Sequence, residues 1–386
     1  MTQFKDLFLI NPNIVYLNHG SFGATPKNVF VAYQTWQRRL EYQPVQFVVR
    51  ELLDHFKNAR EALAEYVHAN AEDLVFIPNA TFGVNVLARS VVLEQGDEIL
   101  SSDHEYGACD NVWEFICSKT GAFYKKKSIP LPIPTPEDFV ELFWQDITPQ
   151  TKIIYLSHIS SSTAQCFPVE LICIRARSEG ILTIIDGAHT PGQIPLDLES
   201  IDADFYIGNC HKWMLSPKGS GFLYTRPDRQ KMIDPLVVSW GWGENSPYTT
   251  GSDYLDYLEW WGTYDPSAYL AVPTALQFME EHGWVEIRQR CKELIHYALN
   301  QISALIGLKS MYLNDPGSYH QMAITSLPNI KDLEAFQNRL FSEYSIEIPC
   351  IEWNDRQFLR ISIQAYNTQD DVDALLAALR DLLPEI

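Results

Sequence analysis

Between residues 150 and 225 the chain repeats one unit: a short run of branched apolar residues, a helical segment, then another such run. KIIYL (152–156) leads to a helical stretch over 168–178 with Pro168 in its first turn, where a missing N–H costs nothing. Gly180 ends that helix, and ILTII (181–185) is the next run. Strict alternation of polar and apolar residues would mark a sheet with one face in water. Continuous Ile and Leu mark strands covered on both faces, and helices between them demand parallel crossover connections. The rhythm reaches back through a helix over 54–68 (Phe56, Ala59, Leu63, Ala64 and Val67 at helical spacing), a strand at 74–77, a helix over 81–92 and a strand at 97–100. It runs forward through strands at 205–207 and 221–225. The expectation is an α/β fold built on a mostly parallel sheet flanked by helices.

The pattern changes near residue 265. Pro266 opens a long helical stretch and a second helix spans 286–305. Strands at 344–348 and 358–363 precede an amphipathic helix over 370–383, opened by Thr368 with acidic residues in its first turn. A chain of 386 residues has room for two or three domains of about 150 residues each. The expected division is an N-terminal segment (1–15) packing near the small domain, a large domain (16–265), and an interdomain helix with a small α+β domain (266–386).

Charge and motifs remove several classes of function. With 29 basic against 49 acidic residues the net charge is −20, which repels phosphate backbones and anionic lipid. Neither nucleic acid nor a membrane is an expected partner. No apolar run is long enough to span a bilayer, and MTQFKDLFLINPN makes a poor signal peptide, so the expected location is cytoplasmic. The 7 cysteines are scattered without a C-x-x-C pair, which speaks against a disulfide framework or a zinc site. HExxH, GxxxxGK[ST] and GxSxG are absent, and the pair Gly219 and Gly221 lacks the third glycine of a nicotinamide-binding turn. No metal is expected.

The stretch 181–224 carries the chemistry. A buried strand delivers Asp186 at its carboxyl end, the edge where open parallel sheets bind ligands, and His211-Lys212 follows the next strand. Taken singly, a strand-end Asp is a turn former and a Lys is a solvated charge. Together on one sheet edge they suit pyridoxal phosphate, which needs a Lys for its imine and a carboxylate to keep the pyridinium nitrogen protonated. Asp186, Ala188 and His189, then His211, Lys212 and Pro217-Lys218-Gly219-Ser220-Gly221, closely resemble the signature of the class V aminotransferases, which are fold type I pyridoxal phosphate enzymes. The resemblance runs from Tyr16-Leu17-Asn18-His19-Gly20-Ser21-Phe22-Gly23 to Tyr366-Asn367-Thr368. It lies nearest the branch that contains isopenicillin N epimerase and the cyanobacterial cysteine and cystine C–S lyases.

The resemblance implies pyridoxal 5′-phosphate as cofactor, Lys212 as its covalent partner and the base at Cα, and Asp186 as the partner of the ring nitrogen. It puts phosphate contacts at Asn79, Ala80 and Thr81, where a helix start offers free N–H groups, and at His211. The ring-stacking position is His104, with Tyr106 as the substitute if the register slips by two. His189 stands where many relatives donate from Gln to the phenolic oxygen, and Ser161 replaces the Asn of a Ser-Asn pair. Arg360, a charge inside a buried-looking strand, matches the family's fork for the substrate carboxylate. Asn18 and His19 are expected beside the substrate. Thr263 resembles the turn that reaches a phosphate bound by the neighbouring subunit, which implies a homodimer with active sites at the interface. The segment 240–264 holds eight aromatic residues, which form either a core cluster or a wall over the pocket.

The implied reaction breaks the Cα–H bond of an amino acid or of a peptide ending in one. Epimerisation, with Tyr106 or His104 as second acid, loss of a β-sulfur, and transamination all remain open. Similarity along the chain favours the epimerase-like outcome. A non-catalytic, pyridoxal phosphate-binding regulatory protein is the reading of a different class, and the intact Asp186, Lys212 and Arg360 speak against it. Desulfurases of this family carry a nucleophilic Cys on a loop before the Arg. Here the segment 348–356 is short and Cys350 is expected at a strand end, as a structural thiol.

Overall fold

In the computed structural model, which describes residues 4–243, 249–308, 311–312 and 317–385, the chain builds three sheets. The strands are β1 (Val15–Tyr16), β2 (Leu74–Ile77), β3 (Glu98–Ser102), β4 (Phe123–Lys127), β5 (Thr151–Ser157) and β6 (Leu182–Gly187). They continue as β7 (Phe205–Asn209), β8 (Gly221–Thr225), β9 (Met322–Ser326), β10 (Ile346–Glu347), β11 (Cys350–Trp353) and β12 (Arg356–Ser362). The main sheet has seven strands in the order β2-β8-β7-β6-β5-β3-β4. All neighbours are parallel except β8, which runs antiparallel to both β2 and β7. The expected α/β architecture is the one observed. The antiparallel β8 follows from its connection: the turn at 210–220 is too short for a crossover helix.

The centre of that sheet is β5-β6-β7, the three runs read most readily from the sequence. Ile184 and Ile185 on β6 are fully buried on opposite faces, each side chain contributing roughly 1.5–3 kcal/mol by leaving water. The helix Val169–Glu179 packs on β6 and ends at Gly180 in a left-handed C-cap. In register, Ser157 of β5 faces Asp186 of β6, and Asp186 faces Ile207 of β7. Their carboxyl ends therefore meet at one edge. Gly187 is required there, because a Cβ would lie 2.2 Å from the Tyr206 ring.

Two further sheets carry the C-terminal third. β11, β12 and β9 form an antiparallel sheet in that order, and β1 pairs in parallel with β10. The strand expected over 344–348 is only the two-residue β10. The edge strand β4, FYKKK, went unread because it has no apolar run; its lysines are of the kind that protects a sheet edge from pairing. Among the described residues no helix is long and apolar enough to cross a membrane.

Candidate active site

The carboxyl ends of β5, β6 and β7 open into a cavity of about 440 Å³. Asn79, Ala80, Thr81, Tyr106, Ser161, Asp186, His189, His211 and Lys212, all expected at the site, line it. Asp186 is buried and held by three donors. The Ala188 N–H binds Oδ1 at 2.9 Å, and Oδ2 takes the Tyr155 hydroxyl at 2.9 Å and the Cys109 thiol at 3.8 Å. A carboxylate so pinned keeps its orientation.

Lys212 leaves β7 in the turn toward β8, and its Nζ lies 2.9 Å from Nε2 of His189. Burial pulls the Lys212 amine down to about 8, with Asp186 opposing the shift and Arg360 adding to it. The same burial, reinforced by the charges of Lys212 and Arg360, holds His189 well below its ordinary value, so its ring is neutral. Gly23 makes room for this turn. It sits at φ +69°, and a Cβ there would meet the His211 carbonyl oxygen at 2.1 Å.

The anion end is narrower than the sequence implied. The helix Ala80–Ser90 starts at the cavity, but Asn79 Oδ1 already accepts the Phe82 N–H, and Asn209 Oδ1 takes the Ala80 N–H. Thr81 keeps its N–H and hydroxyl for an anion. His211 donates Nδ1–H to the Ser220 carbonyl at 2.9 Å, and burial lowers its pKa to about 4. Its free Nε2 is thus an acceptor unless the ring is protonated. Lys218, which sequence reasoning did not single out, also lines the cavity and supplies a cation.

Arg360 lies behind the wall formed by Ser21 and Ser161. Its Nη1 donates to the Ser161 carbonyl at 2.6 Å and its Nη2 to Ser21 Oγ at 2.8 Å. It is buried, its Nε has no partner, and among the described residues no carboxylate pairs with it. A buried guanidinium without an anion is costly, and burial lowers its pKa to about 10.

Several expected residues lie elsewhere. His104 is a correction: its ring does not reach the cavity, because Nε2 donates to the Ile129 carbonyl at 2.8 Å and Nδ1 faces Thr163 Oγ1 at 2.6 Å. Tyr106, two residues on, lines the cavity in its stead, half exposed. Asn18 and His19 are a second correction, being braces rather than lining. Asn18 accepts from Ser21 Oγ at 2.6 Å and donates to Glu347, while His19 bridges Tyr366 and the Lys212 carbonyl. Thr263 is exposed, outside this cavity. Of the aromatic segment, Tyr248 lies outside the described residues; Tyr254 and Trp260 are core, whereas Trp240 and Trp242 are exposed. Cys350 opens β11 opposite Leu359, and burial raises its thiol to about 12. It does not line the cavity.

These residues fit pyridoxal phosphate. A pinned carboxylate, an amine of lowered pKa, a helix N-terminus with an open hydroxyl and an unpaired guanidinium match its ring nitrogen, aldehyde, phosphate and substrate carboxylate in turn. The comparisons agree. The family model for aminotransferase class-V matches residues 15–375. The isopenicillin N epimerase of Amycolatopsis lactamdurans is 35% identical over 97% of this chain and 96% of its own. That of Streptomyces clavuligerus is 32% identical over 99% and 98%. Among solved structures, the cystine C–S lyase C-DES in complex with its reaction product cysteine persulfide superposes with a TM-score of 0.82 at 23% identity, covering 96% of this chain and 98% of that one. The chain belongs to the class V aminotransferase family and is a pyridoxal phosphate-dependent enzyme of that family.

Proposed function

We propose that the chain is an isopenicillin-N-epimerase-like enzyme that removes and returns the proton on Cα of an amino acid or of a peptide ending in one. One observation carries this reading: the buried Lys212 amine, titrating near 8, faces a cavity that also holds Asp186 and is backed by an unpaired Arg360. Bound pyridoxal phosphate supplies an electron sink for the pair left at Cα. Asp186 would hold its ring nitrogen protonated, Tyr106 would cover its ring, and Thr81 and Lys218 would hold its phosphate. His211 would add a donor as the imidazolium. Arg360 would fix the substrate carboxylate, and Lys212, once displaced by the substrate amine, would take the Cα proton. Inversion needs a second proton carrier. Tyr106 is the candidate, since both ring nitrogens of His104 are engaged.

The test is incubation with a panel of amino acids and short peptides in D2O. Deuterium at Cα together with loss of optical purity supports the reading; retention of the Cα–H in every substrate overturns it.

With sulfur amino acids, a second reading is elimination of the β-sulfur after the same proton loss. The position of Cys350 favours it over desulfuration, because a buried thiol at a strand start is no nucleophile for a substrate in this cavity. We further propose a homodimer. The exposed Thr263 and the exposed Phe22 at the cavity rim support an interface beside the site. Among the described residues no disulfide joins the cysteines, which suits a reducing compartment such as the cytoplasm. The proposed division is a large domain over 16–265 and a small one over 266–386, with the segment before residue 16 against the latter.

A further inference from the structure

A neutral imidazole carries one N–H, and the partner of one ring nitrogen decides where that proton sits. The indole of Trp213 is a donor only. Its Nε1–H points at Nδ1 of His189 across 3.3 Å, so Nδ1 must offer a lone pair and the proton must sit on Nε2. Nε2 is the nitrogen that faces Lys212, at 2.9 Å, and the amine accepts that N–H only in its unprotonated form, above about 8, because an ammonium can only donate. The opposite tautomer would set two N–H groups against each other.

Both partners are held by their surroundings. Trp213 is fully buried, and its ring packs against His19 at 4.9 Å between centroids. Its backbone passes Gly192 so closely that a Cβ there would lie 2.3 Å from the Trp213 carbonyl. His189 is fixed from its own main chain, whose carbonyl accepts from Gln193 Nε2 at 2.6 Å. Burial above all, and then the nearby Lys212, Arg360, His211 and His19, disfavour a second proton on the imidazole.

We propose that Trp213 is a positioning residue that holds His189 in the Nε2–H tautomer, so that the imidazole donates into the cavity toward Lys212 and whatever Lys212 binds. The Gln of many relatives presents an N–H from its amide and has no tautomer to choose. A His at this position needs a partner to choose one, and Trp213 is that partner. The proposal rests on the reading of the cavity as the pyridoxal phosphate site, where the same N–H would serve the phenolic oxygen.

The experiment has two arms. In cofactor-free protein labelled with 15N-histidine and held at about pH 9.5, where the Lys212 amine is unprotonated, with His189→Gln assigning the signal, His189 should show a protonated Nε2 and a bare Nδ1. Trp213→Phe should move that signal toward a mixture of tautomers. A proton on Nδ1 in the unmutated protein overturns the proposal, as does an unchanged signal in Trp213→Phe. In the second arm, pyridoxal phosphate is titrated and followed by absorbance. Trp213→Phe should weaken binding about fivefold where His189 is present, the worth of one neutral hydrogen bond, and by less than about twofold in the His189→Gln background. An equal loss in both backgrounds makes Trp213 merely structural and overturns the proposal. If the unmutated protein takes up no cofactor, the reading of the cavity fails, while the nitrogen spectrum of the cofactor-free protein still decides the tautomer.

Discussion

The indole of Trp353 lies against the imidazole of His104, with ring centroids 4.3 Å apart. Trp353 ends β11, and its Nε1–H donates to the Asp103 carbonyl at 2.8 Å while Asn354 reaches the Asp103 carboxylate at 3.1 Å. The tip of the β11–β12 hairpin is thereby fastened to the end of β3. His104 is part of that fastening.

His104 and Tyr106 should therefore separate on mutation. His104→Asn should lose about 1–3 kcal/mol of stability, from a buried hydrogen-bonded ring, and keep its affinity for pyridoxal phosphate. Tyr106→Ala should melt close to the parent and bind the cofactor several-fold more weakly. Thermal melts paired with absorbance titrations check both, and the reverse pattern returns His104 to the site.

The lowered pKa of Lys212 gives covalent capture of the cofactor a definite pH profile. Capture needs the unprotonated amine. A Lys at its ordinary value would gain rate steadily up to pH 10, whereas Lys212 should gain up to about 8 and level off above it. Stopped-flow absorbance on cofactor-free protein measures this. Lys212→Ala should lose the borohydride-reducible link, and a label trapped on another lysine refutes the assignment.

Arg360→Lys should weaken binding of the amino acid substrate by about 1.5–3 kcal/mol, because a point charge cannot reproduce the fork. Cofactor content should not change, since Arg360 touches Ser21 and Ser161 rather than the phosphate end. A substrate titration that matches the parent would remove Arg360 from the site.

Sulfur substrates distinguish two chemistries through Cys350. Elimination from cysteine or cystine should give pyruvate and a sulfide product, and Cys350→Ala should turn over at the parent's rate. Alanine as product, abolished by Cys350→Ala, would establish the desulfurase route.

Thr263→Ala tests assembly. If its hydroxyl serves the partner subunit's phosphate site, the variant should lose about 1.5–3 kcal/mol of cofactor affinity with no change in melting of the cofactor-free chain. Equal affinity confines Thr263 to its own surface.

What could be read from the residues depended on which signals survive outside the core. β5, β6 and β7 were legible because burial on both faces leaves an unbroken apolar run, Asp186 because it closes such a run, and Lys212 because it follows one in the next turn. Arg360 stood out as a charge inside such a strand. The choice between His104 and Tyr106 was not legible. β3 ends at Ser102, and beyond a strand end the two-residue alternation no longer dictates which side chain faces the ligand edge. Asn18 and His19 sit in a motif that looks like a binding loop, yet their partners, Glu347, Tyr366 and the Lys212 carbonyl, are set by tertiary packing that no local pattern encodes. Trp213 carried no sequence signal beyond its place next to Lys212.

The pairing of β1 with β10 also fixes when the protein can finish folding. Val15 and Tyr16 leave the ribosome well ahead of Ile346 and Glu347 and must wait for them. At about 5–20 residues per second that wait lasts some tens of seconds. Ser21, which holds one arm of the Arg360 guanidinium, waits longer still. The main sheet can form during synthesis, but the substrate end of the cavity waits for the chain to reach Arg360. A nascent or C-terminally shortened polypeptide would carry Asp186 and Lys212 in place and still have no means of gripping a substrate.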